Sequence, residues 1–112
     1  MKKKLFLDDI RTVEMVYPPT EVANFHIVRS YKAFVAYIQN NGLPDFISFD
    51  NDLGTDEAGN IAPDGLAAAK WLVYESGCDL SQLQFFVHSA NPVAAEQIRG
   101  LLNNYIAFLN QK

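Results

Sequence analysis

Short apolar runs alternate along the chain with longer stretches in which apolar residues recur every three or four positions. Four of these runs are largely apolar at consecutive positions, not at every second one. Consecutive apolar positions over such a length are typical of parallel strands buried on both faces. The pattern therefore predicts strands at Lys4–Leu7, Phe25–Val28, Phe46–Phe49 and Gln84–Val87.

The longer stretches predict three helices, at Ser30–Asn41, Asp64–Ser76 and Pro92–Leu109. Ser30, Asp64 and Asn91 stand where N-cap residues are expected, and Pro92 suits a first helical position. The segment Thr12–Asn24 contains Pro18-Pro19 and is predicted to be irregular. Because strands and helices alternate, we expect an α/β fold: one domain over residues 1–112, with a small open parallel sheet of four strands flanked by helices.

Composition narrows the class of protein. Of the 112 residues 49% are hydrophobic and 20% are charged, as in an ordinary globular domain. No apolar run approaches the roughly 20 residues that span a bilayer, so we expect a cytoplasmic protein without membrane contact. The single cysteine, Cys78, excludes a disulfide framework and any site of several thiolates. A net charge of −4 offers no basic face for duplex nucleic acid.

The acidity is concentrated at two strand ends. Asp8 and Asp9 follow the first predicted strand, Asp50 and Asp52 follow the third, and these four residues are equivalent to the whole net charge. Carboxyl ends of parallel strands meet at one edge of the sheet, where ligands bind in open α/β folds. Carboxylates that converge there need a counter-charge, and Mg²⁺ or Mn²⁺ prefers such oxygen ligands. The spacing therefore predicts a divalent-cation site.

The same edge is expected to carry groups suited to phosphate. Arg11 and Arg29 can bind phosphate oxygens, and the helix starts after Ser30 and Asn91 favour an anion. His88, which follows the fourth strand beside Ser89, has an ordinary pKa suited to proton transfer near neutral pH. Simpler interpretations remain open, because Asp9, Ser30, Asp52 and Asn91 are also residues that cap helices or brace turns.

Three segments together resemble a known family: Leu5–Arg11, Gly42–Gly54 and Val87–Pro92. They look like the receiver domains of two-component signalling, with their flavodoxin-like fold, and most like a divergent branch, the cyclic-phosphate processing receiver-like domains. The resemblance implies that Asp8, Asp9 and Asp50 bind magnesium, that Asp50 is the phosphoryl-accepting position, and that Ser89 contacts the phosphoryl group. It also implies work on cyclic phosphates in RNA repair or nucleotide signalling. The chain departs from ordinary receivers in lacking a fifth strand and its lysine.

The leading hypothesis is a metal-dependent phosphoesterase that acts on a cyclic phosphate, either an RNA 2′,3′-cyclic end or a cyclic nucleotide. In it Asp8, Asp9, Asp50 and Asp52 bind the metal, Arg11 neutralises developing charge, and His88 protonates the leaving oxygen. The predicted phosphate-binding residues are Arg29, Ser30, Ser89 and Asn91, and Asp50 is an alternative nucleophile. A second hypothesis is a non-catalytic receiver-like module that binds a phosphate ligand or is phosphorylated on Asp50. A third is an acidic edge that docks a basic partner.

Overall fold

The predicted strands form one parallel sheet in the computed structural model, which describes residues 3–55 and 58–111. Within these residues the sheet has the order β2-β1-β3-β4 and contains no fifth strand. Leu7 lies level with Val28 and Phe49, and Phe49 lies level with Val87, so all four strands end at the same edge. The bounds match the sequence prediction: β1 Lys4–Leu7, β2 Phe25–Val28, β3 Phe46–Phe49 and β4 Gln84–Val87.

The helices begin where the capping residues predict. Ser30, Asp64 and Asn91 each accept a hydrogen bond from the backbone amide three residues further on. Residue 76, the predicted end of the second helix, lies in the turn that closes it. No helix among the described residues is long and apolar enough to cross a membrane. The observed bounds are α1 Tyr31–Asn41, α2 Gly65–Tyr74 and α3 Pro92–Leu109.

The two faces of the sheet are covered differently. Leu5, Leu7 and Ile47 belong to the buried core that all three helices share. The opposite face carries Phe6 and Ser48, and it is covered by the irregular segment between β1 and β2, which forms two short 3-10 helices at Val13–Met15 and Pro19–Glu21. Because prolines interrupt this segment, no α-helix forms there. Its Tyr17 packs on Phe25, Phe46 and Phe86 instead.

A glycine allows α2 to begin directly against the end of β3. The Gly65 amide donates to the Asn51 carbonyl at 2.8 Å. A Cβ atom on Gly65 would lie 2.0 Å from the Asp50 carbonyl oxygen, well inside van der Waals contact with backbone that cannot rotate away. The close packing of α2 against the backbone of Asp50 therefore depends on a glycine at residue 65.

We predict that Gly65→Ala destabilises the protein by about 3 kcal/mol, at the upper end for overpacked sites, because backbone has to shift. Gly100→Ala is the matched control: this glycine lies inside α3, and nothing lies within 4 Å of a Cβ added there. Since alanine favours helix over glycine, the control should gain about 0.5–1 kcal/mol. Urea denaturation measures both, and equal small effects at the two positions would contradict the close approach at Gly65.

Candidate functional site

Asp8 is fully buried immediately after β1 and is held by hydrogen bonds on both carboxylate oxygens. Its Oδ1 accepts the backbone amides of Ile10 at 3.0 Å and Arg11 at 2.9 Å. Its Oδ2 lies 3.0 Å from Nε2 of His88 and 3.5 Å from Nη1 of Arg11. The turn after β1 thus wraps around this carboxylate and fixes its direction.

Asp50 lies at the equivalent place after β3. Its amide donates to the Leu7 carbonyl at 2.9 Å, and its Oδ1 accepts the Asn51 amide at 2.9 Å. Nη1 of Arg11 is 3.9 Å from the same oxygen, and the side chain of Asp50 is 10% exposed. Its Oδ2 accepts no hydrogen bond from residues 3–55 or 58–111. Asp50 is consequently less well compensated than Asp8.

The two carboxylates and one imidazole nitrogen form a compact cluster. One ligand atom from each of Asp8, Asp50 and His88 lies within 4.8 Å of the other two. The pKa of Asp50 is raised to about 6, mainly by burial and next by the negative charge of Asp8, and the Asn51 amide and Arg11 only partly offset these effects. Burial also acts to raise the pKa of Asp8, but the amides of Arg11 and Ile10 and the His88 ring outweigh it, so that pKa is lowered.

His88 is buried in a chain of hydrogen bonds. Its side chain is 2% exposed, and its ring stacks on Phe6 with centroids 4.6 Å apart. Nδ1 lies 2.7 Å from the Ser48 hydroxyl, which lies 2.8 Å from the Tyr17 hydroxyl. Burial lowers the pKa of His88 despite the neighbouring Asp8, which favours the neutral ring. Nε2–H then donates to Asp8, while Nδ1 accepts from Ser48.

Two of the three residues in the cluster are suitable ligands for a hard divalent cation. Asp8 and Asp50 present carboxylate oxygens, the donors that Mg²⁺ and Mn²⁺ prefer. Burying both carboxylates beside a single guanidinium leaves a deficit of positive charge, which the raised pKa of Asp50 reflects. Nε2 of His88 is already engaged by Asp8, so His88 suits the role of orienting a ligand better than that of ligating metal.

Asp9 and Asp52, the other predicted metal ligands, lie outside this cluster. The Asp9 side chain extends towards Gly54, where an added Cβ would lie 3.1 Å from its Oδ2. Asp9 still contributes to raising the pKa of Asp50, after burial and Asp8. Asp52 is exposed, and its Oδ1 accepts the Asn51 side-chain amide at 3.2 Å. Metal binding by Asp9 and Asp52 stays a prediction.

The predicted phosphate-binding residues make contacts within the protein. Nη1 of Arg29 donates to the carbonyl of Asp8 at 3.1 Å and to that of Arg11, so it braces the turn after β1. The Ser89 hydroxyl accepts the Asn91 amide at 3.1 Å. Asn91 caps α3, as Ser30 caps α1. Phosphate binding by these four residues is therefore still a prediction, made from their place at the carboxyl edge.

Sequence reasoning assigned no role to Ser48, Tyr17 and Asn51. Ser48 is the polar residue within otherwise apolar β3, and that break in the pattern was the available signal. Asn51 caps the start of α2, because its Oδ1 accepts the Leu66 amide at 3.1 Å. Nothing in the local sequence indicated Tyr17, whose hydroxyl reaches the site from a segment without regular periodicity.

Comparison with known proteins identifies the family of this chain. A family model described as "Cyclic-phosphate processing Receiver domain" matches residues 3–104. The chain belongs to this family of receiver domains. A search of curated proteins finds no match.

Solved structures support the receiver fold. The N-terminal domain of a response regulator/sensory box/GGDEF 3-domain protein from Carboxydothermus hydrogenoformans matches with a TM-score of 0.51 and 17% identity, over 96% of this chain and 99% of that one. A fusion carrying the yeast Spc42 trimeric coiled coil matches with a TM-score of 0.59 and 21% identity. That match covers 89% of this chain and 61% of the fusion. At such identities the likeness concerns the fold alone.

The raised pKa of Asp50 predicts how stability of this receiver domain changes with pH in the presence of EDTA. Between about pH 4 and 6 the folded protein binds a proton that the unfolded chain, with its ordinary pKa near 3.9, does not bind. The contribution of Asp50 to the free energy of unfolding therefore falls as pH rises through this window, by about 3 kcal/mol in total. Asp50→Asn removes this cost, so its stability relative to wild type should increase from pH 4 to pH 7.

Urea denaturation at both pH values measures this difference. Asp52→Asn is the matched control, because it removes a carboxylate from an exposed position on the same loop. A difference between Asp50→Asn and wild type that stays constant from pH 4 to pH 7 would contradict the burial of an uncompensated charge at Asp50.

The hydrogen-bond chain also predicts the tautomer of His88. The ¹⁵N shifts of a labelled sample at pH 7 should show a neutral ring protonated on Nε2, with Ser48→Ala removing the donor to Nδ1. His26 is the internal control: it is exposed on edge strand β2, and its ¹⁵N shifts should not change in Ser48→Ala. A His88 ring protonated on Nδ1 alone would contradict this assignment, because no hydrogen would then lie between Nε2 and the Asp8 carboxylate.

Proposed function

We propose that this receiver domain hydrolyses a cyclic phosphate with the help of a divalent cation. The observation that carries the proposal is the buried pair Asp8 and Asp50, with Arg11 3.5 Å from one carboxylate and 3.9 Å from the other. Such a centre suits a phosphoryl group, whose oxygens can displace water from a cation and accept hydrogen bonds from a guanidinium. The family description supports the cyclic phosphate as the substrate class.

Hydrolysis of a cyclic phosphodiester opens its ring. The oxygen of a water molecule bonds to phosphorus, one of the two ester P–O bonds breaks, and the product is a phosphomonoester with a free hydroxyl. The water loses a proton and the leaving oxygen gains one. Asp50 is suited to accept the proton at Oδ2, because this oxygen accepts no hydrogen bond from the described residues while Oδ1 is held by the Asn51 amide.

Arg11 is the group best placed to stabilise charge on the phosphate. Its side chain is 31% exposed, so it contacts the buried carboxylates and also reaches the solvent from which a substrate arrives. Asp8 and Asp50 would hold Mg²⁺ or Mn²⁺, which supplies Lewis-acid polarisation of a phosphoryl oxygen. His88 keeps Asp8 in place. Its predicted role as the general acid requires a protonated ring, which the lowered pKa of His88 opposes, and requires one of its two ring hydrogen bonds to break.

A second candidate is a receiver-like module that takes up a phosphoryl group on Asp50 without further catalysis. The position of Asp50, at the end of β3 in a receiver fold and partly open to solvent, favours it. Incubation with acetyl phosphate followed by intact-mass measurement separates the two candidates. A stable adduct of one phosphoryl group, lost in Asp50→Asn, with no turnover of cyclic phosphates, would favour the module.

We predict turnover of adenosine 2′,3′-cyclic phosphate in the presence of Mg²⁺ or Mn²⁺, followed by release of 2′- or 3′-AMP. Arg11→Ala should lower kcat by about 100-fold, as loss of one charge-stabilising donor does in other active sites. Arg99→Ala is the control, because this arginine pairs with Glu96 on the surface of α3 and should behave as wild type. The proposal fails if neither metal supports turnover of 2′,3′- or 3′,5′-cyclic nucleotides.

A further inference from the structure

A cavity of about 800 Å³ opens beside the acidic centre. It shares two residues with the surroundings of that centre, since Asp9 and Arg29 both line it. Arg29 also donates to the Asp8 carbonyl at 3.1 Å, so the cavity adjoins the turn that positions Asp8. Its volume lies within the range of ligand pockets in proteins.

The cavity wall combines an aromatic ring, apolar side chains and two cationic side chains, Arg29 and Lys32. Tyr31 lies half-buried at the start of α1 and packs against the hydrophobic core, which limits its movement. No aromatic ring of residues 3–55 and 58–111 pairs with it. Leu53 and Pro63 add apolar surface. In the same described residues, neither Arg29 nor Lys32 forms an ion pair with a carboxylate.

Residues 53–55 and 62–63 form another part of the cavity wall. Thr55 and Ile61 form an antiparallel bridge, and the Ala62 amide donates to the Gly54 carbonyl at 3.0 Å. Gly54 has a φ of 77°, the left-handed conformation that glycine adopts without strain. Gly54 also lies next to the Asp9 side chain, so this part of the cavity wall adjoins the turn after β1 that holds Asp8.

We propose that this cavity binds the nucleoside part of the substrate, with the base against Tyr31 and the sugar-phosphate near Arg29 and Lys32. An aromatic side chain stacks on any base, and unpaired cations at the rim attract the accompanying negative charge. This inference rests on the proposed function for the position of the reacting phosphate. It adds that the domain selects nucleotides over small cyclic phosphates, and that Tyr31 is the residue responsible.

The test compares two substrates that share the reacting group. Adenosine 2′,3′-cyclic phosphate carries the nucleoside, and ethylene glycol cyclic phosphate lacks it. In wild type, KM for the nucleotide should be at least tenfold lower than KM for the small ester. Tyr31→Leu keeps apolar volume in the core but removes the ring, so it should reduce the ratio of the two KM values about tenfold. Tyr31→Phe keeps the ring and should preserve the wild-type ratio. Tyr74→Ala is the control, because Tyr74 is exposed at the end of α2 and outside the cavity.

Equal KM values for the two substrates in wild type would overturn the inference while leaving the phosphoesterase intact. If neither substrate is hydrolysed, calorimetric titration with AMP decides the matter separately. Binding of AMP that is weakened about tenfold in Tyr31→Leu and preserved in Tyr31→Phe would support the nucleoside cavity without catalysis. If a folded wild-type protein neither binds AMP nor hydrolyses the nucleotide, both proposals are overturned.

Discussion

The structure depends on burying two carboxylates side by side at the end of a parallel sheet. Two unit charges 4 Å apart interact by about 4 kcal/mol even at an effective dielectric constant near 20. Asp8 is compensated by two backbone amides and by His88, whereas the carboxylate of Asp50 accepts one amide, with Arg11 at the edge of ion-pair distance. The repulsion between the two carboxylates is therefore less compensated at Asp50. It raises the affinity of this carboxylate for a proton and, by the same reasoning, for a cation.

The fold enforces this arrangement through backbone, not through flexible loops. Parallel register brings the ends of β1 and β3 together, and the absence of a side chain at Gly65 lets α2 begin against Asp50. Below the carboxylates, Phe6 stacks on His88. The Ser48 hydroxyl is hydrogen-bonded to Tyr17, which covers the same face of the sheet. Because these supporting groups are packed, Asp8 and Asp50 have little freedom to move apart. A preorganised centre of this kind is what charge stabilisation in catalysis requires.

The strand bounds could be predicted because consecutive apolar residues end abruptly at charged or polar residues: Asp8, Arg29, Asp50 and His88. The helix starts could be predicted because Ser30, Asp64 and Asn91 are strong capping residues. The meeting of Asp8, Asp50 and His88 followed from parallel topology alone. The directions of the Asp9 and Asp52 side chains could not be predicted from the topology, because beyond the end of a strand the local turn determines where a side chain points. The partnership of Ser48 with His88 and Tyr17 joins residues distant in sequence, and only three-dimensional packing creates it.

The central claim is that Asp8 and Asp50 form a cation site, and unfolding free energy as a function of Mg²⁺ or Mn²⁺ concentration measures it most directly. A cation that binds only the folded state should stabilise wild type by about 2.7 kcal/mol at a hundredfold excess over its dissociation constant. Asp50→Asn should lose most of this gain, while Gln82→Ala, remote from the carboxyl edge, should keep it. A wild-type protein that no concentration of either cation stabilises, or an Asp50→Asn variant stabilised equally, would contradict the account.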